Sequence, residues 1–162
     1  MIVAPDSPAR ADVRALLTEH LADMFATSPP ESVHALDDTR LAAPGITFVT
    51  AREDGTLLGA GALAEAGPGL GELKSMRTAR AARGRGVATA VLAHLLDLAT
   101  ERGYARVSLE TGSQEFFAPA RRLYARHGFT ECGPFGGYVA DPHSVFMTLP
   151  LPAPTILVGA SA

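Results

Sequence analysis

The sequence predicts an α/β fold with one mixed central sheet flanked by helices. Three observations carry that prediction. A long amphipathic stretch, Val87–Arg102, stands between two β-like runs. Two more β-like runs flank a Glu53-Asp54-Gly55 turn and read as a hairpin. Along the whole chain the elements follow in the order β-α-α-β-β-β-α-β-α-β-β, a mixture that suits layered sheet and helix.

The elements follow from local patterns. Residues 2–4 form a short strand. Ser7-Pro8 reads as a helix start, with Ser7 as N-cap and Pro8 at the first helical position. Val13, Leu16, Leu17, His20, Leu21 and Met24 then recur at helical spacing. Ser28-Pro29-Pro30-Glu31 is a second start, with Glu31 placed for a capping box and a short helix to about Leu36. Ile46–Arg52 and Leu57–Glu65 are the hairpin strands, the second rich in Gly and Ala. After the Gly67-Pro68-Gly69 break, Glu72–Thr78 is a third strand. Strict alternation puts Glu72, Lys74, Met76 and Thr78 on one face, and Leu73, Ser75 and Arg77 on the other.

Val87, Val91, Leu95 and Leu98 make one apolar stripe along the clearest helix, which Gly103 ends. Ala105–Glu110 is a strand. A helix follows between Gln114 and His127, with Pro119 in its first turn and Gly128 after its end. Phe129–Cys132 and Val145–Leu149 are the last strands. Between them runs an irregular Gly/Pro/aromatic loop, Gly133–His143.

Bulk properties bound the function. A chain of 162 residues, 47% hydrophobic and 19% charged, fits one folded domain. We place that domain at residues 1–149, with a tail at 150–162. The tail carries three prolines and an apolar Thr155-Ile156-Leu157-Val158. It is read as unordered, or packed on the body or on a partner chain. The formal net charge of -3 argues against a nucleic-acid partner. Cys132 is the single cysteine, which excludes an intrachain disulfide and a cysteine-rich zinc site and suits a cytoplasmic location. No membrane span, signal peptide or metal site is expected.

Arg83-Gly84-Arg85-Gly86-Val87-Ala88 lies between a strand and the long helix. Glycines there let backbone N–H groups converge, and the helix N-terminus adds partial positive charge. Together they suit a phosphate or pyrophosphate. A dinucleotide fingerprint fails because Thr89 holds its third glycine position, and a Walker loop fails for want of Gly-Lys-Ser/Thr. On that fragment alone, a tight turn with solvated arginines competes with an anion site.

The context decides between them. Arg83-x-x-Gly86-x-Ala88 resembles motif A of the GNAT N-acetyltransferase superfamily. Ala120-Arg-Arg-Leu-Tyr-Ala-Arg-His-Gly-Phe129 resembles its motif B. Order and spacing agree over about residues 2–149. Gly71–Met76, Leu109–Gly112, Gly133–Gly136 and Asp141–Met147 are similar to the YsnE-like branch of that superfamily. The chain has Arg80 where the family often has proline, and Phe117 where it often has asparagine.

The resemblance implies the GNAT acyl-CoA N-acyltransferase fold, with acetyl-CoA as co-substrate. By likeness, acetyl-CoA lies between strands Glu72–Thr78 and Ala105–Glu110. Met76, Arg77 and Thr78 supply strand contacts, and Arg83, Gly84, Arg85, Gly86, Val87 and Ala88 receive the pyrophosphate. A main-chain N–H near Met76 is expected to polarise the thioester oxygen. An alkyl ammonium has a pKa near ~10, so a base is useful. Glu72 is the first candidate, Glu110 the reserve and His143 the third. Each competes with a plain reading as a paired or solvated side chain. Tyr124, in motif B, matches the general acid for the departing thiolate, against a reading as a core tyrosine. Glu110, Phe135, Tyr138 and Asp141 are expected to wall the acceptor pocket, with Glu110 or Asp141 attracting an ammonium. The implied activity is acetyl transfer to a primary amine of a small molecule. A protein acceptor and a non-catalytic acetyl-CoA sensor are the alternatives. A homodimer follows family habit.

Overall fold

The computed structural model describes residues 1–153. Thr155-Ile156-Leu157-Val158 of the tail lies outside them. The strands are β1 (Ile2–Pro5), β2 (Ile46–Glu53), β3 (Thr56–Gly67), β4 (Leu70–Thr78), β5 (Arg106–Gly112), β6 (Thr130–Cys132) and β7 (Ser144–Pro150). The helices are α1 (Ala11–Thr27), α2 (Asp38–Leu41), α3 (Val87–Glu101) and α4 (Ala118–Arg126). The strands form one sheet in the order β1-β2-β3-β4-β5-β7-β6. Among the described residues only β4 and β5 run parallel, because α3 carries the chain back between them.

The hydrophobic periods dictate what covers each face. Val87, Val91, Leu92, Leu95 and Ala99 of α3 join Val49, Leu63, Leu73, Leu109, Leu123 and Tyr124 in one core. Val13, Leu16 and Leu17 of α1 and Leu41 of α2 meet Phe48, Ala60 and Ala62 in a second core. Each large aliphatic chain so buried contributes roughly 1.5–3 kcal/mol. The Gly/Ala composition of β3 now has a cause. Its alanines 60 and 62 belong to the α1 core, while its glycines 59 and 61 face α3. A Cβ on Gly59 would lie 2.6 Å from Val87 Cγ1, and one on Gly61 would lie 2.8 Å from Val91 Cγ1. Glycine lets α3 lie close on the sheet.

Three expectations need correction. Ser7-Pro8 does not start the helix. Those residues form a turn, with Ala9 N donating to Ser7 Oγ at 3.2 Å and Arg10 N to Ser7 O at 3.3 Å. Asp6 holds that turn to the sheet, accepting from Ser7 N and from Thr50 Oγ1 at 2.8 Å each, so α1 begins only at Ala11. The helix expected from Glu31 is one 3₁₀ turn, Pro30–Ser32, without a capping side chain. The short α2 that follows was not anticipated; Asp37 caps it by accepting from Arg40 N at 2.8 Å.

The third correction matters most. Strict alternation in β4 breaks at Ser75, whose φ is +53°. Lys74 lies opposite Ala62 and Arg77 opposite Ala60, so two residues of β4 bulge across from Gly61. Beyond the bulge the faces swap. Arg77 joins Glu72 and Lys74 on the α1 side. Met76, whose sulfur would meet a Cβ on Gly61 at 2.6 Å, joins Leu73 on the α3 side.

Candidate active site

The sheet opens at the parallel seam between β4 and β5. β4 and β5 pair from Leu70↔Arg106 to Leu73↔Leu109 and then part. Past that point β5 pairs only with β7, through Glu110↔Phe146, Thr111↔Val145 and Gly112↔Ser144. The facing edges of Lys74–Thr78 and Glu110–Gly112 therefore have no strand partner among the described residues. Buried backbone groups need partners, so this edge suits an extended, amide-bearing ligand laid in as a strand. A cavity of about 700 Å³ occupies the opening.

The glycine turn closes one end. Gly84 and Gly86 have φ of +75° and +76°, and Gly86 is the N-cap of α3. Nothing stands within 4 Å of where a Cβ would be on either, so the first-turn N–H groups of α3 are open to an anion. Arg83, Gly84, Gly86, Val87 and Ala88 line the cavity with Met76, Arg77 and Thr78. Arg85 does not; its guanidinium is bound to Glu53 at the β2–β3 turn. The Arg77 side chain is held on the α1 side by Glu19 (2.5 Å) and Asp23 (2.7 Å). Phe117, in the position where asparagine is frequent, packs into Gly112. A Cβ there would lie 2.0 Å from the Phe117 ring.

The acidic end holds the reactive groups. Glu72 is buried, and its Oε1 accepts from Lys74 Nζ at 2.9 Å and from the Tyr138 hydroxyl at 2.5 Å. Lys74 Nζ also donates to the Tyr138 oxygen at 3.0 Å. Glu110 faces the same cavity. Burial pushes its carboxyl from the usual 4.5 up to about 7. The Ser144 hydroxyl and Lys74 ammonium oppose that rise, while the Glu72 and Asp141 charges add to it. Tyr124 projects from α4 into the cavity, and burial alone raises its phenol above the ordinary value. Tyr138 is raised as well, first by burial and then by its bond to Glu72.

The expected pocket residues divide in two. Glu110, Tyr138 and, at the rim, the exposed His143 line the cavity. Phe135 and Asp141 do not; they brace it. The Phe135 ring meets Tyr138 edge-on at 5.1 Å and Phe146 at 5.9 Å. Asp141 accepts from Ser32 Oγ at 2.6 Å and from His143 N at 2.8 Å, which ties the 133–143 loop to the 3₁₀ turn after α1. Those bonds, Ser32 first, keep its carboxyl below the usual range. Sequence reasoning missed Lys74, His34 and His20 as cavity residues. His34 packs edge-on against Tyr138 at 5.0 Å. Lys74 and His34 both meet Tyr138, far away in the chain, which no local signal marks. Among the described residues, no group of three or more His, Cys, Asp and Glu is placed to hold a metal ion, and no helix is long and apolar enough to cross a membrane.

A parallel seam that opens onto a glycine-capped helix, with carboxylates and phenols at its far end, defines an acyl-CoA-dependent N-acyltransferase. Residues 13–129 match the model of the acetyltransferase (GNAT) family, and the chain belongs to that family. It is 52% identical to the uncharacterised N-acetyltransferase YsnE of Bacillus subtilis, over 84% of this chain and 90% of that one. It is 39% identical to an IAA acetyltransferase of Azospirillum brasilense, over 92% of this chain and 97% of that one. Among solved structures it resembles a Klebsiella pneumoniae protein described as an acyl-CoA N-acyltransferase. That match has a TM-score of 0.79 and 28% identity, over 93% of this chain and 97% of the other. The GNAT fold and N-acetyltransferase activity expected from motifs A and B are therefore those of this chain.

Proposed function

We propose that this enzyme moves the acetyl group of acetyl-CoA to a primary amine of a small molecule, by direct attack inside the cavity. One observation carries the reading. Strand pairing stops at Leu73 and Leu109, so an unpaired edge runs from an anion-receptive helix start to the buried Glu72 and half-buried Glu110 carboxyls. The free edge of Met76–Thr78 supports a role in pairing with the pantetheine amides. The open N–H groups of Gly86, Val87 and Ala88 support a role in receiving the pyrophosphate, with Arg83 beside them. Arg85 contributes there only by leaving Glu53. Acetyl-CoA supplies an acetyl group already activated as a thioester.

The residues divide the proton work. An ammonium entering the cavity meets Glu110 and Glu72. Glu110 takes the amine proton, because a carboxyl titrating near 7 is matched to a base at neutral pH. Glu72, the first candidate by resemblance, already accepts from both Lys74 and Tyr138. Those bonds suit it to holding the acceptor's ammonium and the 133–143 loop. Tyr124 keeps its proton at neutral pH and gives it to the departing sulfur.

Calorimetric titration of the purified chain with acetyl-CoA, beside a nicotinamide dinucleotide, tests the cofactor. Thiol release against a panel of primary amines tests the acceptor. Tight binding of acetyl-CoA alone and amine-dependent thiol release are expected. Release that depends only on proteins or peptides would replace the small-molecule acceptor with a polypeptide one.

A further inference from the structure

Three polar side chains in the cavity wall have a buried atom with no hydrogen-bond partner among the described residues. They are His20 Nδ1, Ser75 Oγ and Arg77 Nε. Each residue is 8% exposed, and all three line the reaction cavity. An unsatisfied buried polar atom costs about 1–3 kcal/mol. All three atoms are shielded from solvent although their residues line the cavity, so a group that bonds to them must turn these side chains toward it.

Their placement has a structural origin. The bulge at Ser75 turns Arg77 toward α1. There Glu19 and Asp23 take its Nη2 and leave Nε unused. His20 stands on the same helix, between those two acids. Arg80 also reaches Glu19 (3.0 Å) and Asp23 (3.6 Å), so two cations face two anions and the cluster balances in charge. Arg77 Nε–H can only donate, and the Ser75 hydroxyl can donate or accept. Burial, with Arg77 adding to it, lowers His20 to about 4, so its ring is neutral at pH 7 and offers one N–H. The complement of this trio is a group with several oxygen lone pairs.

We infer that the acceptor is an amino carboxylate, whose amine lies by Glu72 and Glu110 and whose carboxylate is received by Ser75, Arg77 and His20. This assignment rests on the acetyl-transfer reading above and adds the second end of the acceptor. A neutral carbonyl meets the same donors. The carboxylate is preferred because an Arg N–H bond to an ionised oxygen is about twice as strong as a neutral one. The bulge thus serves recognition, since a regular strand would carry Arg77 to the α3 face.

The test uses the full chain and thiol release from acetyl-CoA. The probes are linear ω-amino carboxylates from glycine to aminohexanoate, each paired with its n-alkylamine and its primary amide of equal length. At least one carboxylate should be acetylated with kcat/KM about 10-fold or more above its alkylamine, the worth of one charge-assisted bond. In Ser75→Ala, and separately in His20→Leu, that ratio should fall to within about 3-fold, as the recognising bonds go. Melting temperature and acetyl-CoA affinity, recorded beside it, show that each variant is folded. Alkylamines used as well as their carboxylates, a ratio unchanged in both variants, or a series in which no carboxylate is accepted would each overturn the inference. Failure of the wild-type chain to bind acetyl-CoA is a different result, and would remove the transfer reading itself.

Discussion

Tyr138 donates to Glu72 across 66 positions of sequence, and Lys74 bonds to both partners. The triangle fastens the 133–143 loop to β4 beside the opening in the sheet. It also keeps a buried carboxylate, an ammonium and a phenol mutually satisfied. Tyr138→Phe removes the two edges that its hydroxyl makes, keeps the Lys74–Glu72 pair, and leaves the ring packing on Phe135, Phe146 and His34. The expected result is a stability loss of about 1 kcal/mol and a fall in kcat/KM of about 10-fold. Acetyl-CoA affinity should hold. Calorimetry and steady-state kinetics check this, and a parallel loss of cofactor affinity would place the loop nearer the cofactor than the geometry supports.

Glu110 sets a pH dependence with a definite sign. Between its ordinary 4.5 and about 7, the folded chain keeps a proton that the unfolded chain has lost. The folded state binds more protons there, so this group's contribution to stability falls as pH rises through that window. His20 acts oppositely. Its value drops from 6.5 to about 4, so its contribution is lost as pH falls below 6.5. Glu110→Gln should raise stability above pH 7 by at most about 3 kcal/mol. It should also abolish the acidic limb of the kcat/KM profile near pH 7, with turnover down about 100-fold. Denaturant melts across pH and a pH–rate profile check both halves. An unchanged profile would return the base role to Glu72.

Tyr124→Phe deletes one oxygen from a ring that packs against Phe129 at 5.7 Å and keeps every apolar contact. The melting temperature should barely move, while acetyl transfer falls by about 100-fold or more. A single-turnover assay is the check. An unchanged rate would leave Tyr124 as a core residue only.

Two glycines separate packing from ligand binding. Gly59→Ala places a Cβ 2.6 Å from Val87 Cγ1 and 2.9 Å from the Arg77 carbonyl oxygen. It should cost about 1–3 kcal/mol of stability. Gly86→Ala meets open space but must hold φ of +76°. It should cost about 1 kcal/mol and weaken acetyl-CoA binding more than it weakens folding. Thermal melts with and without acetyl-CoA distinguish them.

The elements written in local periodicity were legible in the sequence. The α3 stripe from Val87 to Leu98, the glycines on either side of it and the hairpin turn at Asp54-Gly55 each follow from near-neighbour chemistry. What was hidden depends on distant partners. Nothing beside Ser75 announces a left-handed residue, since the bulge answers to pairing across Gly61. Lys74 gains its place from Tyr138, 64 positions away. The order proposed for Glu72 and Glu110 as bases turns on the bonds that Glu72 accepts from Lys74 and Tyr138, which only the folded chain sets. Phe135 and Asp141, pocket walls by the sequence pattern, instead support other residues from behind.

The opening seam makes the sheet two leaves. One holds β1 to β4, and the other holds β5, β7 and β6; four residue pairs, Leu70↔Arg106 through Leu73↔Leu109, stitch them together. A molecule lying along the unstitched length would bond to both leaves at once and act as a rivet. The cofactor and the structural integrity of the enzyme are then one matter. Starved of it, the chain should breathe along this line, with amides at Met76–Thr78 exchanging with solvent while those at Leu63 stay shut. Filled, it should behave as a single plate.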